Sequence, residues 1–258
     1  MFSFFKKEVV SQEKLEVADI EDYTDVAPVA SYFKNETGVI FDEQSSILKN
    51  KLTTFCRHRN INSFSKLLRL VKVDTKIKQE LIDYLTTNET FFYREFKQIE
   101  QLVQLVKKQN SQVRILCAPS ATGEEPYSIA IALLEAGIIA GNIDILGIDI
   151  NSDAIQKSEE AIYKERNIRN LADDVLNKYF SKIDEKYVLK EKVKSLVSFK
   201  KLNLFDDSFK SIGKFDYVFS RNMLIYFDKE TKLKAKAILE EMRKDETHEV
   251  FFGHADLF

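Results

Sequence analysis

Several residue types are scarce or absent in this chain of 258 residues, which has no tryptophan, seven glycines and three prolines. Because linkers are commonly rich in glycine or proline, long flexible linkers are not expected. Only two cysteines occur, Cys56 and Cys117, far apart in sequence. With no secretory signal recognised, we expect both to be reduced thiols of a cytoplasmic protein. The three histidines lack metal-ligand spacing, so no metal site is expected.

Neither sign of charge dominates, since 39 basic and 41 acidic residues leave a net charge of −2. We therefore expect no nucleic-acid partner, because no global basic field is present. No apolar run is long enough to span a bilayer, and stable membrane insertion is not expected. The opening MFSFFKK is too short, and in the wrong order, for a signal peptide.

The hydrophobic pattern divides the chain into three parts. Residues 1–26 are irregular and are interpreted as an N-terminal tail. Residues 27–87 have helical periodicity, with Ser63 and Asp74 as plausible helix caps, and predict a small all-helical domain. Residues 88–258 alternate strands with helices, which indicates an α/β domain with a mostly parallel sheet and right-handed crossovers.

The stretch VRILCAPSATGEEPYSIAI, residues 113–131, predicts a buried strand, a tight turn and a helix that begins near Gly123. This arrangement builds a ligand crevice in open α/β sheets. Pro126 suits the first helical turn, where backbone amides have no intrahelical partner. A ligand role is favoured for Glu124, which lies nearest the turn. For Glu125, simple complementation of the helix dipole is an equally good explanation.

The next strand, IDILGID, ends in Asp149. A carboxylate at this place hydrogen-bonds ribose hydroxyls in nucleoside-binding α/β folds. The alternative is a cap for the following helix, although Asn151 or Ser152 would serve as well. Three further strands are predicted over residues 197–204, 215–220 and 249–254.

The segment TTNETFFYRE, residues 86–95, joins the two predicted domains. One interpretation is a capped helix start with a hydrophobic staple. The other is a polar lip that presents Asn88, Thr90 and Arg94 to the crevice.

The helical segment SILKNKLTTFCRHR carries a concentration of basic side chains. These are Lys49, Lys51, Arg57, His58 and Arg59. A solvated helix face is the simpler explanation, and a docking face for an acidic partner is the other.

Four motifs resemble those of the CheR-type chemotaxis receptor methyltransferases, in family order and spacing. They are LTTNETFFYRE, SATGEEPYSIAIAL, DINSDAIQKSEEAIY and FDYVFSRNMLIYFD. The resemblance extends over residues 30–256 and implies a class I, Rossmann-like S-adenosylmethionine-dependent methyltransferase with a small helical N-terminal domain. It further implies transfer of methyl groups to glutamates in the cytoplasmic domain of chemoreceptors, giving γ-glutamyl methyl esters for chemotactic adaptation. A non-catalytic S-adenosylmethionine-binding scaffold is the alternative.

The resemblance also implies site residues by position. The cofactor-binding set is Asn88, Thr90, Arg94, Glu124, Asp149, Asn203, Leu204, Arg221 and Asn222. Within it, Glu124 would lie at the methionine end of the cofactor and Asp149 would hold the ribose. Arg94 and Tyr226 are the catalytic candidates, expected to orient the acceptor carboxylate, with Tyr226 near the transferring methyl.

The chain departs from the family pattern in a few places. Cys117 and Ala118 replace a usual glycine, and the last motif reads GHAD rather than GHSE. The chain stops at Phe258, before a closing strand pair, so we expect an open sheet edge covered by Phe2, Phe4 and Phe5 or by a partner. An insert at about 180–199 has a compact turn, SKIDEKY, which is short for gripping a receptor tail. Receptor recognition would then fall to the basic helix.

Overall fold

The computed structural model describes residues 21–41, 46–109 and 111–256. The predicted covering residues Phe2, Phe4 and Phe5 lie outside these ranges. Within the described ranges no helix is both long and apolar enough to cross a membrane.

A helical unit comes first in the described chain. Its helices, α1 to α4, are Ala27–Thr37, Ser46–Arg57, Phe64–Val73 and Thr75–Leu85. Their apolar faces form one core, in which Leu52, Phe55 and Leu67 are almost completely buried. The two predicted caps are confirmed: Ser63 Oγ accepts the amide of Lys66 at 3.1 Å, and Asp74 caps α4 in the same way.

The residues just before α1 are packed on this unit. Asp22 forms an isolated parallel β-bridge with Ser63, and the Asp22 amide donates to Asn62 O at 2.9 Å. The Tyr23 ring lies 5.3 Å from that of Phe64. The packed part of the helical unit therefore begins before Ala27, inside the segment interpreted from the sequence as a tail.

A five-stranded sheet forms the centre of the second unit, and a smaller sheet lies beside it. Strands β1 to β8 are Val113–Cys117, Ile143–Asp149, Ile162–Lys164, Phe180–Ile183, Lys186–Leu189, Val197–Lys201, Tyr217–Ser220 and Val250–Phe252. Helices α5 to α11 are Phe96–Val106, Glu124–Glu135, Ser152–Glu160, Glu165–Ile168, Asp173–Tyr179, Glu191–Lys194 and Lys229–Glu241. The central sheet is parallel throughout, in the order β6-β2-β1-β7-β8, which confirms the predicted α/β class.

Strand β1 shows why the sequence from Ile115 to Ala118 is an unbroken apolar run. Ile115 and Cys117 pack in one hydrophobic core, whereas Leu116 and Ala118 pack in the core on the opposite face. Successive strand side chains point to opposite faces, so a strand covered by helices on both sides needs apolar residues at every position.

The insert contains a short hairpin. Strands β4 and β5 form it with Asp184 in its turn, within the SKIDEKY segment, and the residues that follow form α10. An unpredicted strand, β3, pairs with β5 to complete a three-stranded antiparallel sheet. With three residues, β3 is too short to leave a readable alternating pattern.

The helical unit docks over the carboxyl ends of the central strands. Gln79 Nε2 donates to Ile150 O at 2.9 Å, just after β2. Asn203 Nδ2, after β6, donates to Glu36 O at 2.6 Å. These contacts place the crevice between the two units.

Asn151 has a double role at this interface. Its Oδ1 accepts the amide of Ala154 at 2.8 Å and thereby caps α7. Its Nδ2 donates to Asp83 O at 3.1 Å and to Thr86 Oγ1 at 2.8 Å, both in the first unit. The alternative that made Asp149 the cap of this helix is therefore wrong, and Asn151 takes that place.

Replacing Asn151 by alanine should lower the free energy of unfolding by about 2 kcal/mol. The variant loses a helix cap and leaves buried interdomain acceptors unpaired. Urea unfolding followed by circular dichroism measures the effect. Asn170→Ala, an exposed asparagine, is the matched control and should leave the midpoint unchanged. Equal midpoints for both variants would contradict the prediction.

Candidate active site

A cavity of about 380 Å³ lies between the helical unit and the carboxyl ends of β1, β2, β6 and β7. It is lined by every predicted site residue except Glu124: Asn88, Thr90, Arg94, Asp149, Asn203, Leu204, Arg221, Asn222 and Tyr226. Parallel strands deliver the residues that follow them to one edge of the sheet, which is why distant segments meet here. The size suits a small organic ligand.

The structure places Glu124 away from this main cavity. Its carboxylate is fully buried and accepts from Thr122 Oγ1 at 2.6 Å and from Asn167 Nδ2, in α8, at 2.7 Å. Glu125 lines the main cavity instead. Consecutive helical residues point about 100° apart, so only one of the pair can face the crevice. The sequence analysis favoured Glu124 because it lies nearest the turn.

Glu125 forms a buried ion pair with Arg221. Arg221 Nε donates to Glu125 Oε2, and their side chains are 3% and 11% exposed, respectively. Arg221 Nη1 also donates to Arg94 O at 2.8 Å. Burial raises the pKa of Glu125, and the positive charge of Arg221 opposes that shift. The pair therefore joins the start of α6, the end of β7 and the backbone of residues 86–95.

Two buried polar atoms at the main cavity lack a hydrogen-bond partner within the part of the chain that the structure describes. They are Glu125 Oε1 and Ser120 Oγ. An unsatisfied buried acceptor costs about 1–3 kcal/mol, and a ligand with N–H or O–H donors would remove that cost. The lining is therefore suited to a ligand rich in donors.

Asp149 is fixed by the backbone at the end of β2. Its Oδ2 accepts the amide of Ala121 and its Oδ1 that of Asn151, both at 2.9 Å. Burial raises the pKa of Asp149 to about 6, although the backbone donors act in the opposite direction. Each carboxylate oxygen has two lone pairs, so the group retains capacity to accept from a ligand.

The loop after β7 is held by Asp256, which sequence reasoning missed. This buried carboxylate accepts the amides of Asn222, Ile225 and Gly253, the last two at 3.2 Å. A Cβ at Gly253 would lie 2.9 Å from Asn222 N, so the close approach requires glycine. The only sequence signal was the GHAD motif, which was considered a departure from the family.

Residues 86–95, which we call the lip, have an unusual backbone. Tyr93 and Glu95 have φ angles of 58° and 50°, a region that non-glycine residues rarely occupy. The amide of Tyr93 donates to Ser128 Oγ at 3.0 Å, and Glu95 accepts from His254 Nδ1 at 2.8 Å. The Glu95 side chain makes no cap on α5, so the interpretation of a capped helix start is wrong.

Arg94 and Tyr226 both line the main cavity and remain open to solvent. Tyr226 is 39% exposed and its carbonyl accepts the amide of Ile40 at 2.8 Å. Arg94 Nη1 donates to Glu89 O at 3.2 Å within the lip. Within residues 21–41, 46–109 and 111–256, no three histidine, cysteine or acidic side chains cluster as metal ligands.

Residues 88–258 match the family model described as CheR methyltransferase, SAM binding domain. The chain belongs to the CheR methyltransferase family. It is similar to the chemotaxis protein methyltransferase of Campylobacter jejuni, with 35% identity over 222 residues, 86% of this chain and 84% of the relative. The chemotaxis protein methyltransferase of Escherichia coli is 28% identical over 227 residues, 85% of this chain and 79% of the relative.

A solved structure gives a more distant likeness. Magnesium protoporphyrin IX methyltransferase from Synechocystis PCC 6803 with bound SAM is 14% identical, covers 71% of this chain and 76% of its own, and has a TM-score of 0.33. The family assignment does not depend on it.

As a CheR family member, this protein is an S-adenosylmethionine-dependent methyltransferase. The cofactor carries an ammonium group and ribose hydroxyls, all hydrogen-bond donors. The unpaired oxygens of Glu125 and Ser120 and the remaining lone pairs of Asp149 can accept them. The residues of the main cavity therefore fit the cofactor chemically.

Glu125→Ala should lower the free energy of unfolding by about 3 kcal/mol, because it leaves the buried Arg221 guanidinium without its counter-charge. Urea unfolding without added ligand measures this loss. Glu241→Ala breaks an exposed ion pair with Lys210 and is the matched control, expected to change little. An equally small effect of both variants would mean that the buried pair is not needed for folding.

Proposed function

We propose that this CheR family member methylates glutamate side chains in the cytoplasmic domain of chemoreceptors, forming γ-glutamyl methyl esters. The observation that carries the proposal is the composition of the main cavity. No histidine, lysine or cysteine is among its lining residues in the described ranges. Its buried carboxylates are engaged, Glu125 with Arg221 and Asp149 with backbone amides. The third lining carboxylate, Glu89, is exposed, so the described lining offers no free buried base and suits an acceptor that needs none.

A glutamate side chain is such an acceptor. Its pKa in water is about 4.3, so it is already ionised at neutral pH. Alignment of the carboxylate with the methyl group then supplies most of the catalysis. When bound, S-adenosylmethionine provides an electrophilic methyl group on its sulfonium.

Arg94 and Tyr226 orient the incoming carboxylate in this proposal. A guanidinium and a phenol hydroxyl both donate to carboxylate oxygens. Their partial exposure leaves the acceptor hydrated enough to remain nucleophilic. Neither residue needs to exchange a proton with it.

In this proposal, different lining residues bind different parts of the cofactor. Asp149 accepts from the ribose hydroxyls, and Asn203 with Leu204 flanks the adenine. Glu125, rather than Glu124, receives the ammonium group at the methionine end, because only Glu125 lines the main cavity. Asn88 and Thr90 contact the cofactor from the lip, while Arg221 and Asn222 close the opposite side.

The basic face of α2 remains a docking candidate for the receptor, but part of its charge is used internally. Arg57 Nη2 donates to Glu21 at 2.8 Å, and Arg59 Nε donates to Glu80 at 2.7 Å. Of the predicted set, Lys49 and Lys51 contribute the remaining positive charge. Exposed charges of this kind contribute about 0.2–1 kcal/mol each, so this face alone gives weak docking.

Methyl transfer to a receptor cytoplasmic fragment tests the proposed function. The wild-type protein with labelled S-adenosylmethionine should produce alkali-labile methyl esters that mass spectrometry maps to glutamates. Tyr226→Phe should lower kcat about tenfold and leave S-adenosylhomocysteine affinity unchanged, because the hydroxyl acts on the acceptor. Tyr84→Phe, on a half-exposed tyrosine of α4, is the matched control. Cofactor binding without any ester would support a non-catalytic scaffold instead.

Affinity for S-adenosylhomocysteine should fall as the pH is lowered through about 6. Below this pH the Asp149 carboxyl takes up a proton and loses its charge as an acceptor. Calorimetry should give about fourfold weaker binding at about pH 5.5 than at about pH 7.5. Asp149→Asn should bind more weakly at both values and lose the pH dependence. A variant that retains the wild-type profile would remove Asp149 from the binding site.

A further inference from the structure

A second cleft, of about 770 Å³, lies on the other side of the lip. We call it the insert cleft, because the small antiparallel sheet forms one of its walls. Thr87, Asn88, Glu89 and Thr90 line both this cleft and the main cavity. A molecule lying in the insert cleft therefore contacts the segment that also borders the reaction site.

Five cationic side chains line the insert cleft. They are Lys157 on α7, Lys164 on β3, Arg166 on α8, Arg169 after α8, and Lys186 on β5. All five residues are exposed. Among the described residues, no carboxylate forms an ion pair with any of the three lysines. The cleft thus offers three lysine ammonium groups that no described carboxylate pairs with.

Two of these lysines face each other across the small sheet. Lys164 and Lys186 are directly opposite in the antiparallel register of β3 and β5. Side chains in this position share one face, with Cβ atoms about 5 Å apart, and like charges there reduce stability. An anionic ligand between or beside them would relieve the repulsion.

Three carboxylates line the insert cleft; Glu89 is exposed, and the other two are already engaged. Glu124 is buried and accepts from Thr122 and Asn167, and Glu160 Oε1 accepts from Gln156 at 2.9 Å. These groups are committed within the protein, whereas the lysines are not. With five cationic side chains against three carboxylates, the lining of the cleft carries an excess of positive charge.

We propose that the insert cleft binds an acidic polypeptide segment next to the methyl-accepting side chain. This inference rests on the proposed function and adds a second recognition surface, on the opposite side of the lip from the main cavity. The cations come from separate elements, which suits an extended chain with several carboxylates better than one compact anion. Single-stranded nucleic acid is disfavoured, because its binding relies on stacking on exposed rings. Here Arg169 covers the Phe91 ring at 3.8 Å, and Tyr163 is buried.

Charge reversal of the facing pair tests the proposal. Lys164→Glu with Lys186→Glu retains a like-charged pair, so the fold should be little affected. Fluorescence anisotropy with a labelled peptide of alternating glutamate and alanine should show about tenfold weaker binding than wild type at low salt. With a receptor fragment as substrate, KM should rise about tenfold while kcat and S-adenosylhomocysteine affinity remain unchanged.

Two further variants sharpen the experiment. Lys107→Glu with Lys108→Glu reverses the charge of two exposed residues that precede the amino end of β1, whereas the main cavity lies at the carboxyl ends of the strands. This control variant should behave like wild type. Lys186→Glu alone should raise the melting temperature through a new attraction to Lys164, yet weaken peptide binding. A merely structural role of the pair would not separate stability from binding in this way.

Three results would overturn the proposal. They are unchanged peptide binding and KM in the double reversal, equal losses in the control variant, and tighter wild-type binding of a single-stranded oligonucleotide that the double reversal abolishes. If wild type transfers no methyl but binds the peptide through these lysines, the proposed function fails and the cleft assignment stands.

Discussion

The ion pair between Arg221 and Glu125 is the constraint on which the site depends. A buried guanidinium without a counter-charge is costly, so the end of β7 and the start of α6 must remain in contact. The same guanidinium donates to the backbone of Arg94 and thereby holds a lip whose neighbouring residues have left-handed φ angles. Two walls of the main cavity and the segment that borders it are thus fixed by one charged group.

Much of this organisation could be predicted from the sequence, because it follows from periodicity and from strand ends. The apolar residues 115–118 indicated a buried strand, and the parallel class then fixed which residues meet. Asp149, Asn203 and Arg221 each follow or end a predicted strand, and all three line the main cavity. A topological rule, rather than local propensity, brought them together.

The features that could not be predicted from the sequence depend on the direction of side chains around a helix and on single tertiary contacts. Glu124 and Glu125 differ by one position in a helical turn, and only the backbone direction decides which faces the cavity. Asp256 acts through three backbone amides that leave no side-chain pattern to detect. Strand β3 is defined by its partner rather than by its own three residues, and with it comes the facing pair of lysines.

Main-chain carbonyls accept several of the hydrogen bonds that hold the helical unit on the α/β unit. One hydrogen bond from each of Gln79, Asn203 and Asn151 ends on a main-chain carbonyl across the interface. Others join two side chains, such as Asn151 with Thr86 and Lys201 with Gln79. A carbonyl is present whatever side chain occupies the position, so the accepting half of the first three bonds tolerates substitution. At those three places the interface constrains the backbone path more than residue identity. Relatives with other side chains at the accepting positions can retain the same docking of the helical unit, provided that the backbone path is kept.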